Sequence, residues 1–199
     1  MLASITPLGE RGRGRNWNTT IAFYVAGSVL GGATRGTVLG SLGALVPSNL
    51  RPSPTNVALV LASLLVLAAA IEAGWVRMRI PSLARQVNED WLDHYRGWVI
   101  GFGFGYQLGL AVVVYITTAS LWVVFIAEFL TFSPVGGLAL GALFGLIRSI
   151  PIFATRRVGS PQELRRAHST MHRLAPVAER TLTTVCGLAA AVLLVTVIA

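Results

Sequence analysis

The sequence predicts an all-α fold, a polytopic membrane bundle of about five transmembrane helices. Hydrophobic residues fill 54% of the 199 positions and only 12% are charged, whereas a soluble domain carries about twice that share of charge. Mean hydropathy is +0.67. The apolar residues fall into long runs, and the segments between them are rich in proline and arginine, with no lysine anywhere.

The first eighteen residues are basic, with arginines alternating with glycines at positions 11, 13 and 15. They lack the apolar core of a signal peptide, so we expect residues 1–18 to remain as a flexible cytoplasmic anchor. Residues 19–199 are predicted to be a single transmembrane domain, because they leave no room for a soluble domain of ordinary size.

The first two crossings are predicted over residues 20–46 and 55–75, with a proline-rich turn between them. Glycine recurs every four residues in the first crossing, at Gly32, Gly36 and Gly40. Small residues at this spacing allow two helices to approach closely, so we predict a helix-packing face there. The second crossing is rich in Leu, Val and Ala, which indicates the helix most exposed to lipid.

Residues 96–132 form the longest apolar run and are too long for a simple crossing. A helix of about 35 residues would span about 52 Å, and the hydrocarbon core is about 30 Å thick. Glycine permits both unwinding and close packing. We therefore predict that this third helix is broken or kinked near Tyr106 and Gln107; the alternative is one long tilted helix packed on its glycines. The glycines concerned are Gly101, Gly103, Gly105 and Gly109.

Two further crossings are predicted over residues 135–154 and 181–198. The fourth repeats the four-residue spacing of glycine, at Gly137, Gly141 and Gly145. The loop before the fifth contains Ser160-Pro161 with Glu163 shortly after, a pattern typical of a helix start. Cys186 is the single cysteine, so the chain cannot form an internal disulfide.

Arginine placement decides the predicted topology. Apart from the N-terminal segment, most arginines lie in two loops, residues 77–96 and 155–180, and the first loop has the apolar spacing of an amphipathic surface helix. Arginine-rich loops stay in the cytoplasm. We therefore expect a multi-pass protein of the inner cell membrane, with its N-terminus inside and its C-terminus outside. That arrangement requires residues 96–132 to cross once.

Four ionisable residues fall within or near the predicted crossings: Arg35, Glu72, Glu128 and Arg148. A charge at the bilayer centre costs at least about 2.5 kcal/mol on insertion scales, so each should face the bundle interior. Similar depths predict two ion pairs, Arg35 with Glu128 and Glu72 with Arg148. Reversing both charges of a pair should restore what either single change abolishes. The alternative is that Glu72, Glu128 and Arg148 snorkel to the interfaces.

Polar residues along the third crossing are candidates for a substrate path. A polar site at a broken helix is typical of transporters. The candidates are Tyr106, Gln107, Tyr115, Thr117 and Thr118.

The sequence lacks the residue arrangements of an enzyme active site, and we expect no catalytic residue and no cofactor. His168 and His172 have metal-ligand spacing on a predicted helix, but we expect solvated side chains rather than a metal site. The formal charge of +8 is explained by the cytoplasmic loops, so no nucleic acid is expected. The expected partners are the lipid bilayer and either further copies of the chain or a partner membrane protein.

The sequences GWVIGFGFGYQLGLAVVVY and GGLALGALFGLIRSIPIF, after a basic segment and a glycine-rich crossing, resemble the transmembrane family of cytochrome c biogenesis proteins (CcdA/DsbD type) in the lysine-exporter-like superfamily. The resemblance implies two inverted three-helix repeats whose first helices are broken. Here the repeat would be degenerate, because the first helix of the family has no counterpart. The thiol relay of the family is not implied, because Tyr106, Gln107 and Leu108 stand where its second cysteine is expected.

Three functions follow from these patterns. The first is a small transporter that moves a small solute or ion through a polar site at the broken third helix. The alternative is a non-catalytic membrane subunit or scaffold for a partner complex. A thiol or electron relay is the least supported. A transporter should have a water-accessible cavity beside Gln107, whereas a scaffold should be closed there and expose a docking face.

Overall fold

The computed structural model describes residues 5–76, 95–111 and 118–198. All regular structure in these residues is helical, as predicted. Two 3₁₀ segments, Ser48–Leu50 and Ile150–Arg157, accompany the α-helices. The α-helices are α1 (Pro7–Gly12), α2 (Trp17–Ala44), α3 (Pro54–Glu72), α4 (Gly97–Leu110), α5 (Ser120–Phe129), α6 (Pro134–Ser149) and α7 (Pro161–Ile198).

Three helical stretches are long and apolar enough to cross a membrane: Pro54–Glu72, Pro134–Arg156 and Arg173–Val197. They support a membrane protein, but the described residues do not confirm the predicted count of five crossings. Helix α2 has 28 residues, yet its glycines and Arg35 make it less apolar than these three. Helices α4 and α5 have 14 and 10 residues, and each is shorter than the roughly 20 residues that a crossing needs.

Helix α2 is the centre of the bundle, and two neighbours pack closely against it. Helix α4 runs parallel to it, since Gly101 meets Thr20 and Gly109 meets Ser28. Helix α6 runs antiparallel to it, since Gly137 meets Gly36 and Gly145 meets Ser28. A Cβ atom added to any of these glycines would overlap backbone atoms of the opposite helix. The predicted packing glycines all lie in these two contacts: Gly32, Gly36, Gly40, Gly101, Gly105, Gly109, Gly137, Gly141 and Gly145.

In the predicted third crossing, the first helix ends later than expected. Helix α4 runs unbroken past Tyr106 and ends at Leu110, where Ala111 adopts a left-handed conformation with φ 56°. The Ala111 N–H donates to the Gln107 carbonyl at 3.2 Å, which is a common way to end a helix. Most of the glycines expected to unwind the helix instead bring it against α2. Helix α5 runs parallel to the second half of α2, because Phe125 contacts Arg35 and Phe129 meets Gly43.

The N-terminal segment is packed against the bundle, although the sequence predicted a flexible anchor. Ile5, Thr6 and Glu10 are buried, and the Leu8 N–H donates to the Val158 carbonyl at 3.2 Å. Thr6 caps α1 through its side chain, and proline occupies the first position of the helix; both residues favour a helix start. The basic segment is therefore a structured end of the bundle.

The predicted loop over residues 155–180 is mostly helical. Helix α7 runs for 38 residues through Pro176, so the loop and the fifth crossing form one continuous element that packs on α3. The predicted loop over residues 77–96 and its amphipathic helix lie outside the described residues, apart from its last two positions.

Candidate functional site

Arg35 and Glu128 form a buried ion pair between α2 and α5. Arg35 Nε donates to Glu128 Oε2 at 2.9 Å, and Nη2 donates to Oε1 at 2.5 Å. Arg35 is 5% exposed and Glu128 is fully buried. The pair expected from sequence depth is therefore present, with the two-pronged geometry that a guanidinium supplies and an ammonium cannot.

The same guanidinium also contacts the broken end of α4. Arg35 Nη1 donates to the carbonyls of Gly109 at 2.9 Å and Leu110 at 3.4 Å. Carbonyls in the last turn of a helix lack intrahelical partners and carry the negative end of the helix dipole. One side chain from α2 thus connects the end of α4 to the carboxylate on α5.

Two aromatic rings enclose Arg35. Its Cζ lies 4.6 Å from the ring centroid of Phe125 and 4.5 Å from that of Phe144, distances at which a cation is attracted to a ring face. The sequence analysis did not identify these rings. Helical spacing could have indicated Phe125, because it lies three residues before Glu128 on the same side of the helix. No spacing along the chain relates Phe144 to Arg35.

The second predicted ion pair, Glu72 with Arg148, is absent. Glu72 Oε1 instead accepts the backbone N–H of Ala119 at 2.7 Å. Arg148 lies 5.5 Å from the Phe144 ring and lines a cavity with Tyr24 of α2. The prediction was wrong because equal depth along a bundle does not place two side chains on facing sides of their helices.

None of the three cavities described for this chain is lined by two of the predicted substrate-path residues. The Tyr106 hydroxyl lies 3.3 Å from Thr34 Oγ1 on α2, and Gln107 is half-buried. Thr118 lines a groove whose described lining includes neither of them. Tyr115 and Thr117 lie outside the described residues.

A second buried carboxylate joins α1 to α2, and the sequence analysis missed it. Glu10 is fully buried. Its Oε2 accepts from Thr20 Oγ1 at 2.7 Å, and its Oε1 accepts from Arg13 Nη1 at 3.4 Å. The Thr6-Pro7 helix start was the available signal, because it places Glu10 in the first turn of a short helix.

His168 and His172 lie on α7, but their side chains are outside the described part of the structure. Among the described residues, no group of three His, Cys, Asp or Glu side chains could hold a metal ion. Cys186 is buried and forms no disulfide. The arrangement that the described residues build is therefore the Arg35 centre, defined as Arg35, Glu128, Phe125, Phe144 and the carbonyls that end α4.

Comparison with known proteins finds several relatives, and all of them carry the same name. The chain is 31% identical to the methylamine utilization protein MauF of Paracoccus versutus over 155 residues, which cover 75% of this chain and 56% of that protein. MauF of Paracoccus denitrificans is 31% identical over 75% of this chain and 55% of its own length. MauF of Methylophilus methylotrophus is 27% identical over 76% of this chain and 53% of its own length. The chain spans about half the length of these curated relatives. No family model and no solved structure matches it.

These relatives correct the resemblance to cytochrome c biogenesis proteins and the lysine-exporter-like superfamily. The significant matches carry the name MauF instead. The resemblance relied on glycine spacing and hydropathy. The structure accounts for that spacing by the close approach of α4 and α6 to α2, and membrane bundles of many families pack in this way.

Proposed function

We propose that this chain is a non-catalytic membrane subunit that supports a partner protein in methylamine utilization. The MauF relatives, named for methylamine utilization, support the process. The closed Arg35 centre supports a scaffold over a transporter. We place the single transmembrane domain in the inner membrane, with the N-terminus and the arginine-rich start of α7 in the cytoplasm.

The Arg35 centre is internally satisfied. Each nitrogen of the guanidinium donates to Glu128 or to a carbonyl of α4, and two rings cover its faces. A passing solute would have to displace these contacts. Breaking a buried ion pair by removing one partner costs about 3–5 kcal/mol, so this centre is suited to holding helices together rather than to releasing a ligand repeatedly.

The start of α7 offers a surface for a partner. The apolar span of this helix begins at Arg173, so residues 161–172 extend about 18 Å beyond it. Arg165 and Arg166 are exposed on this extension. A charged, projecting helix suits an acidic surface on a protein outside the membrane, because complementary charge guides association.

Deletion of the chain in its own host tests the proposal. We expect growth on methylamine to be lost, growth on succinate to continue, and uptake of labelled methylamine by intact cells to stay at the wild-type rate. A fall in uptake, or methylamine transport by the purified chain in lipid vesicles, would support the transporter and contradict the scaffold.

The extension of α7 can be tested in the same host. Charge reversal of Arg165 and Arg166 to Glu should reduce growth on methylamine at unchanged levels of the chain in the membrane. The matched control is Arg11→Glu, at an exposed arginine of α1, and this variant should grow normally. Equal growth of both variants would exclude the extension as the docking surface.

A further inference from the structure

A groove of about 570 Å³ lies between α5, α6 and α7. Its walls are mainly apolar, and the hydroxyl residues Thr118 and Ser120 also line it. Arg148 is the only charged residue in the described lining. The lining residues are Thr118, Ser120, Leu121, Val124, Phe144, Ile147, Arg148, Pro151 and Leu182.

Arg148 has no counter-charge among the described residues. The charge of Arg35 is balanced by Glu128, whereas Arg148 makes no ion pair or side-chain hydrogen bond within this part of the chain. Its guanidinium faces the Phe144 ring at 5.5 Å, and the same ring already lies 4.5 Å from Arg35. Glu72, the predicted partner of Arg148, instead accepts the backbone N–H of Ala119 just before α5. A cation within an apolar span is costly unless an anion lies beside it, so Arg148 is suited to bind an anionic group at this groove.

We propose that this groove binds one anionic phospholipid, with its phosphate at Arg148 and one acyl chain along the apolar walls. Basic pockets between transmembrane helices are typical sites for anionic lipid headgroups. Arg148 lies toward the end of the span Pro134–Arg156, where a long side chain can reach the headgroup level. The site is independent of the scaffold function and would be present whether or not a partner is bound.

The size of the groove favours a lipid over a helix of a partner protein. An α-helix with its side chains is about 10–12 Å wide, so a volume of about 570 Å³ cannot take more than a short piece of one. An acyl chain is narrow and flexible, and it needs no hydrogen-bond partners from the walls. Leu121, Val124 and Leu182 supply apolar surface of this kind.

Native mass spectrometry of the full chain tests the site. The protein is reconstituted in nanodiscs of equal phosphatidylglycerol and phosphatidylcholine, and the lipid that it retains on release is counted. Wild type should retain one phosphatidylglycerol. Arg148→Gln should reduce that retention about fivefold or more, since one arginine contributes about one kcal/mol to anionic lipid binding near the surface. Arg148→Lys keeps the charge and should retain most of the lipid.

A matched control and a groove-filling variant separate charge from shape. Arg180→Gln removes an exposed arginine of α7 that does not line the groove and should leave retention unchanged. Val124→Trp fills the groove, keeps Arg148 and should also lose the lipid. If Arg148→Gln fails to fold, the other two variants still test the site. Retention of the lipid by Arg148→Lys together with its loss from Val124→Trp would support the proposal.

Three results would overturn the proposal. The first is wild-type retention of phosphatidylglycerol by Arg148→Gln or by Val124→Trp. The second concerns the melting temperature of wild type in pure phosphatidylcholine. If millimolar inorganic phosphate raises it as much as phosphatidylglycerol does, the groove is a site for free anions. The third is unchanged lipid retention by Arg148→Gln together with loss of a co-purifying membrane protein, which would indicate that Arg148 pairs with a protein carboxylate.

Discussion

Arg35 on α2 and Glu128 on α5 are joined by two hydrogen bonds, 2.9 and 2.5 Å long, beside the point where α4 ends. Arg35 also donates to the last carbonyls of α4. The last carbonyls of α4 are therefore satisfied by a side chain from another helix. Interrupted backbone at membrane depth is tolerated only where such partners are supplied.

Removing either partner should strongly destabilise the bundle. For Arg35→Ala or Glu128→Ala we expect a loss of about 3–5 kcal/mol, because the remaining charge is left buried and unpaired. Arg35→Lys should recover only part of this, since an ammonium cannot form the two-pronged pair. Unfolding in detergent by increasing denaturant measures the loss, and wild-type stability of Arg35→Ala would contradict the assigned role.

Exchanging the two charges should not restore stability, contrary to what the sequence alone suggests. In Arg35→Glu with Glu128→Arg, a carboxylate would face the carbonyls of Gly109 and Leu110, which Arg35 now contacts. Like partial charges repel at the negative end of a helix dipole. We expect the double variant to unfold as readily as the single ones. Near-normal stability would mean that the carbonyl contacts contribute little.

A single methyl group at the interface of α2 and α6 should separate the helices. Gly141→Ala places a Cβ against the backbone of Gly32, and overpacking of this kind costs about 1–3 kcal/mol. Gly187→Ala on α7 is the matched control, because nothing lies within 4 Å of its added Cβ; it should be neutral or slightly stabilising. Melting temperatures in one detergent compare the two, and similar shifts would exclude close packing as the cause.

The buried Glu10 should hold the N-terminal segment in place through Thr20. Thr20→Val removes the hydroxyl that donates to Glu10 Oε2 at 2.7 Å, and a buried acceptor left unsatisfied costs about 1–3 kcal/mol. We expect faster trypsin cleavage after Arg11, Arg13 or Arg15. Thr19→Val, at the neighbouring exposed position, is the control and should be cleaved at the wild-type rate.

The start of α7 should loosen in acid. Backbone N–H groups of Gly159 and Ser160 donate to Glu163 Oε2 at 2.7 and 3.1 Å, and the hydrogen bond from Gly159 is the main cause that lowers the pKa of Glu163 below its ordinary value of 4.5. Because the folded pKa is lowered, the contribution is present above 4.5 and is lost as pH falls through the folded pKa. NMR of the Glu163 carboxyl and of the Gly159 amide measures this; Glu163→Gln should remove the pH dependence.

Patterns along the chain were enough to predict the all-helical class, the glycine faces and the Arg35–Glu128 pair. Each depends on the spacing of residues or on their depth in the membrane, and both follow from positions along the sequence. The position of the break could not be predicted in this way. Glycine permits both unwinding and close packing, and only the approach of α2 decides that Gly105 packs while Ala111 ends the helix.

By itself, the sequence determined how much of this protein is apolar, where the small residues fall, and which charges lie too deep to face lipid. Tertiary structure alone decided which of those charges meet. Arg35 and Arg148 both lie on helices with glycine at four-residue spacing, but the rotation of these helices brings only Arg35 to a carboxylate and leaves Arg148 facing a groove. Depth along a helix is set by residue number, whereas the direction of a side chain around the bundle is set by packing.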